Sequence, residues 1–213
     1  SPPPSPPPSP PPSPPPSSPP TAWCAFEGEH PVEFCAWTHG ACDFRWTMNQ
    51  GDTPSAFTGP SVDQTTEHNT SYSVVHVPSQ SEGYYIYIES TWTRLEGDKA
   101  CLESPAINAT ATPGMTFWRH MYGLHVGTLN VYANTSHNAS DDGLLFSTSG
   151  SEGDRWIWTH ICLSDFGLTG MQAVRFEGVV GVDFSGDIAI DDVHFGDCLV
   201  TPPPSPPPPP PPP

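Results

Sequence analysis

The chain has 213 residues and a formal net charge of −17, with six Lys and Arg set against 23 Asp and Glu. Nucleic acid and anionic membrane surfaces recruit proteins through basic patches, so neither suits this chain, whereas cations do. Residues 1–21 begin SPPPSPPPSPPPSPPPSSPP and residues 200–213 end in TPPPSPPPPPPPP. Between them, residues 22–199 have ordinary complexity and the right size for one domain with its own core.

Proline fixes φ near −65° and lacks an amide donor, so neither helix nor sheet propagates through SPPP blocks. The tails are expected to be polyproline II or disordered; at about 3.1 Å per residue the first tract would reach roughly 60 Å as a semi-rigid spacer. SPPP blocks on both sides resemble the extensin-like, hydroxyproline-rich glycoproteins of plant and green-algal walls. That resemblance implies hydroxylated, sugar-decorated rods in a cell wall or matrix. The chain begins and ends inside these repeats, and it is expected to be a piece of something longer.

Within the middle segment, β-branched and aromatic residues alternate with polar ones at 72–77, 84–90, 100–104, 115–122, 128–133, 144–147, 156–163, 173–179 and 188–195. Glycine-rich and polar clusters such as SEG, ATPG, SDDG and SGSEGD separate them. No stretch carries a 3.6-residue period. Many short strands over this length predict an all-β, antiparallel β-sandwich of jelly-roll type. In the strand MTFWRHMYG, Phe117, Arg119 and Met121 face one way and Trp118, His120 and Tyr122 the other. Bulk on both faces predicts an inner strand, with Arg119 and His120 structural. Trp37, Trp46, Trp118, Trp156 and Trp158 are expected to pack, and Trp92 to be exposed.

Six cysteines stand at 24, 35, 42, 101, 162 and 198, with no CxxC pair and no zinc-ligand spacing. Four sequons, at Asn69, Asn108, Asn134 and Asn138, accompany them. Disulfides and N-glycosylation together point to an extracellular setting. The sequence shows no signal peptide and no apolar run of membrane length.

The series CAFE (24–27), CAWTHGACDFRWTMNQGDTPSAFTGPSVDQT (35–65), GYYIYIES (83–90), GDKACLESP (97–105), FWRHMYG (117–123), GTLNVYAN (127–134), VRFEGVVG (174–181) and GDIAIDDV (186–193) resembles, in order and spacing, the MAM domain named for meprin, neuropilin and the receptor tyrosine phosphatase mu. The resemblance implies a jelly-roll sandwich serving as a non-catalytic extracellular adhesion or interaction module, secreted or membrane-attached through other domains. It also implies a Cys24–Cys35 bridge. The family has a cysteine just before the FWYHM-like strand, paired with the closing cysteine; Met115 stands there, so Cys198 must find a partner among Cys42, Cys101 and Cys162. A rival scheme pairs Cys24 with Cys198 and Cys35 with Cys42. Sequence leaves both open.

The stretch SGDIAIDDVHFGDC carries Asp187, Asp191 and Asp192. Adjacent aspartates on a strand point to opposite faces and cannot form a glycosidase pair, and no nucleophile–base constellation accompanies them, so no catalytic residue is expected. The resemblance implies a structural Ca²⁺ held between the first strand, an early loop and the last strand by Glu27, Asp43, Asp63 and Asp192. The plainer alternative is that these are loop and cap residues serving backbone amides, Arg45 or Arg175. Partners are expected to be an extracellular protein, in one form a second copy, or a glycan; a calcium-stabilised carbohydrate-binding module is the alternative reading.

Overall fold

The computed structural model describes residues 23–26, 35–64, 83–91, 93–133 and 143–198. Its strands are β1 (Trp23–Cys24), β2 (Thr38–His39), β3 (Thr47–Asn49), β4 (Tyr85–Ile88), β5 (Lys99–Glu103), β6 (Ile107–Asn108) and β7 (Gly114–Met121). They continue with β8 (Thr128–Ala133), β9 (Leu144–Ser149), β10 (Trp156–Cys162), β11 (Met171–Gln172), β12 (Val174–Val179) and β13 (Ile188–Gly196). The strand expected at 72–77 lies outside the described residues.

Two antiparallel sheets face each other. One runs β10-β7-β13-β4-β3 with β1 also paired to β13, and the other runs β2-β5-β12-β8-β9. The architecture is the expected antiparallel β-sandwich. Inward-facing side chains alternate along each strand: Met115, Phe117 and Met121 from β7 and Ile188 and Ile190 from β13 meet Leu129, Val131 and Phe176 of the other sheet, all fully buried. Burying each such side chain stabilises the fold by about 1.5–3 kcal/mol. Phe117 packs edge-on against Phe176 at 5.0 Å between ring centroids. At the open side between β10 and β9, Arg119 closes the gap through a two-pronged pair with Glu152 (2.7 and 2.8 Å) and lies over the Phe146 ring. Glu152 is therefore a structural partner of β7. Trp37 and Trp46 are buried, as expected.

The first sheet is covered on its outer face as well. Tyr85 and Tyr87 of β4, Ala189 of β13 and Trp156 of β10 form a second small core with His120 beside it. The segment 49–64 lies over it: Tyr85 Oη donates to the Gly51 carbonyl (2.6 Å), Trp156 Nε1 to the Val62 carbonyl (3.0 Å), and Thr58 Oγ1 to the Tyr122 carbonyl (2.8 Å). Further along the same face Trp118, half-buried, packs against this small core as expected, and Trp158, opposite it on β10, is also half-buried.

Three disulfides lock the frame: Cys24–Cys35, Cys42–Cys101 and Cys162–Cys198. The bridge implied by the family is present and the Cys24–Cys198 scheme is not formed, although β1 and β13 do lie side by side, with Cys24 opposite Val193. Gly114 of β7 is the register partner of both Cys162 and Gly196, so the third bridge links the strands on either side of it. A Cβ on Gly114 would come 2.3 Å from the Asp197 carbonyl oxygen, so only glycine admits the chain here. The partner for the closing cysteine thus comes from β10, one strand over from the Met115 position.

Candidate functional site

The aspartates of β13 sit where that strand changes neighbours. Residues 188–190 pair with β4, whereas Val193 and His194 pair with β1. Between them the pairing with β7 breaks register from Asp191 to His194. Asp192 occupies this bulge with φ 48°, a left-handed backbone that an aspartate adopts more readily than a bulky residue does. The bulge turns the adjacent aspartates into neighbours of different kinds: Asp191 is fully buried on the outer face, and Asp192 is half-buried.

Asp191 is held by backbone amides, its Oδ1 accepting from Asp192 N (2.8 Å) and its Oδ2 from Gln64 N (3.2 Å). Burial first, and then the Asp192 and Asp63 charges, push its carboxyl well above the ordinary aspartate range, against the pull of those amides. Asp63, the residue before Gln64, is also fully buried. Phe26, with φ 54°, follows two residues after β1, and Glu27 comes next, outside the described residues. Asp43 is elsewhere: its Oδ2 accepts the Lys99 amide at the start of β5 (2.9 Å), in the opposite sheet.

Hard cations are bound by oxygen, and buried carboxylates that repel one another have the chemistry for one. Among the described residues, however, no three His, Cys, Asp or Glu side chains are disposed as metal ligands. Asp63 and Asp192 therefore fit a cation only if a further donor such as Glu27 joins them, and Asp43 is not placed to contribute. Asp191, which the sequence reading leaves out of the ligand set, is the carboxylate at the centre of the cluster.

Asp187, just before β13, is a further buried carboxylate. Its Oδ1 accepts Ser90 N (3.0 Å), and burial with the nearby Glu89 charge raises its pKa to about 7 against the pull of that amide and of the Thr53 hydroxyl. Glu89 in turn accepts from Ser55 Oγ (2.8 Å) and Tyr87 Oη (3.3 Å). His120 Nε2 lies 3.2 Å from Asp154 Oδ1, but burial lowers its pKa to about 4 despite that carboxylate, so the ring is neutral at pH 7. These groups serve the packing of segment 49–64.

Of the sequons, Asn108 is exposed on β6, its Oδ1 accepting the Thr110 amide (3.1 Å); Asn69, Asn134, Asn138 and also Trp92 lie outside the described residues. No helix among the described residues is long and apolar enough to cross a membrane.

A two-sheet antiparallel body with a Cys24–Cys35 bridge is the arrangement the MAM resemblance implies. The family model for the MAM domain, meprin/A5/mu, matches residues 24–199. The chain belongs to the MAM family. It is 35% identical over 183 residues to the MAM domain-containing glycosylphosphatidylinositol anchor protein 1 of Gallus gallus, covering 82% of this chain and 17% of that protein. It is 37% identical over 193 residues to protein 2 of the same description from Mus musculus, covering 82% and 18%. The chain thus spans under a fifth of the length of these curated relatives. Among solved structures it is similar to the K1 cleaved adhesin domain of Lys-gingipain from Porphyromonas gingivalis W83, with a TM-score of 0.54 at 17% identity, covering 81% of this chain and 95% of that one; at that identity the likeness concerns the fold. As a MAM domain carrying three disulfides, the chain is an extracellular domain.

Proposed function

We propose that this MAM domain is a non-catalytic adhesion or interaction module of a hydroxyproline-rich matrix, cell-wall or cell-surface glycoprotein, displayed by its flanking proline tracts. The supporting observation is where the described chain enters and leaves. Trp23 lies opposite His194, near the end of β13, and Cys198 follows two residues after that strand. The first and last described residues therefore lie at the same end of the sandwich. Ca²⁺ held by Asp63, Asp192 and Glu27 would neutralise the carboxylates gathered at the bulge and tie segment 49–64 to β1 and β13.

Beads coated with the full chain are expected to adhere to one another or to surfaces bearing the parent extracellular matrix. Coated beads indistinguishable from uncoated ones on both counts would overturn the reading, as would turnover of a substrate by the chain.

One observation favours a glycan as the ligand: Trp158 and His160, on the outer face of β10, stack nearly parallel (5.8 Å, 16°) and are both half-exposed. Retention on a glycan array that Trp158→Ala removes would select this reading; retention unchanged by that substitution would exclude it.

A further inference from the structure

The end of the sandwich opposite Trp23 and Cys198 collects exposed apolar side chains. Phe57 (85% exposed), Leu95 (72%), Leu124 (87%), Val182 (63%) and Phe184 (51%) come from four separate loops. Backbone contacts hold those loops together: Gly59 N donates to the Tyr122 carbonyl, His125 N to the Ser185 carbonyl, and Gly97 N to the Val180 carbonyl. Single exposed apolar residues need no explanation, but several at one tip of a chain this acidic do.

Phe57 is the most telling of them. It takes φ 62°, a conformation rare for a bulky side chain, and the neighbouring Thr58 fixes it there by donating to the Tyr122 carbonyl and accepting the Asp187 amide (2.8 Å). The strain is spent holding an aromatic ring out in water. Beside the ring opens a cleft of about 440 Å³, walled by residues 52–61 together with Tyr122 and Asp154. Two of its lining residues are exposed carboxylates, Asp52 and Asp154, and because His120 is neutral at pH 7 it does not offset the charge of Asp154. Arg155, and Arg94 beside Leu95, where it lies over the Phe44 ring, are nearby cations; Glu96, Asp98 and Asp183 extend the acidic rim across the other loops.

We propose that this tip, centred on Phe57 and its cleft, is a docking site for a protein partner that presents a lysine or arginine beside an apolar side chain. The cation enters the cleft between Asp52, Asp154 and the Tyr122 ring, and the apolar neighbour covers Phe57 and Leu124. Charge decides the occupant: a second copy would bring the same acidic rim against this one, and an anionic bilayer would be repelled. The inference rests on the adhesion reading and gives it a surface.

The test displays the full chain to an array of short synthetic peptides carrying Lys or Arg next to Leu or Phe, with matched peptides in which the base is Glu or the apolar residue is Ser. Only the basic–apolar set is expected to bind. Phe57→Ser, Leu124→Asp and Asp154→Asn should each weaken binding about tenfold, while Met171→Ser, an exposed apolar residue at the other end, leaves it unchanged. Equal binding by the tip variants, no preference for the basic peptides, or no binding at all would overturn the proposal. Self-association in sedimentation, or binding to phosphatidylcholine vesicles, that the tip variants abolish would overturn it too, by assigning the tip to a second copy or to lipid. Bead adhesion that survives the tip substitutions would sink this site and leave the adhesion reading standing; peptide binding without adhesion would do the reverse.

Discussion

Cys162 and Cys198 are joined across Gly114, linking β10 to the end of β13 over the strand that lies between them. A cross-link in that place fixes the order of three strands at once, and it needs a residue without a side chain underneath.

Replacing both cysteines by serine is expected to lower stability by about 2–4 kcal/mol. Gly114→Val should do at least as much harm, because its Cβ has no room beside the Asp197 carbonyl. Urea unfolding measures both. A Gly114→Val protein as stable as the parent would show that the chain can shift aside there.

Asp187 makes stability fall as pH rises. Its folded pKa of about 7 exceeds the ordinary 3.8, so the folded state binds more protons between those values. The favourable contribution is complete below about pH 4 and is lost as pH climbs through 7. Asp187→Asn should therefore be more stable than the parent at pH 8, by on the order of 3 kcal/mol, and the two should converge near pH 4. Parallel stability curves across that range would refute the assignment.

His120 acts in the opposite sense. Its pKa falls from 6.5 to about 4 on folding, so the unfolded chain takes up the proton first and stability declines as pH drops through that interval. In His120→Gln the acid limb of the unfolding curve between pH 6.5 and 4 should flatten, whatever the cost of repacking beside Trp156 and Tyr122. An unchanged slope would mean that another group governs it.

A cation at the β13 bulge predicts that Ca²⁺ raises the melting temperature by several degrees at concentrations near 100 times its dissociation constant. Asp192→Asn and Glu27→Gln should abolish the gain, and Asp43→Asn should not. Melting that ignores both Ca²⁺ and chelator would remove the ion from the account.

The long strands are legible in the sequence from their runs of β-branched and aromatic residues between polar, glycine-rich clusters; β7, β8, β10, β12 and β13 fall within a residue or two of their expected limits. The two-residue strands β1, β2, β6 and β11 are too short to show a period and exist only through the neighbours they pair with. Tyr85-Ile86-Tyr87-Ile88 has no polar member and is buried at every position, which signals cover on both faces. What covers the outer one, segment 49–64, has no periodic pattern of its own to announce it. At the candidate site the limit is the bulge: strict alternation places Asp191 and Asp192 on opposite faces, and one extra residue at φ 48° undoes that count. The tip is hidden for a different reason, since its apolar residues are scattered through four loops and only the fold gathers them.

Because Trp23 and Cys198 lie at the same end of the sandwich, tension applied through the two flanking segments would load β1 and β13 as a zipper, one hydrogen-bonded rung at a time, a mechanically weak geometry. The bridges intercept that load. Cys24, in the second residue of β1, passes force to Cys35 after a single rung, and Cys198 hands it directly to β10, leaving β13 slack. Sulfur thus stands at both points where a pull enters the body, so a reducing environment should make the domain yield to stretching before it yields to heat.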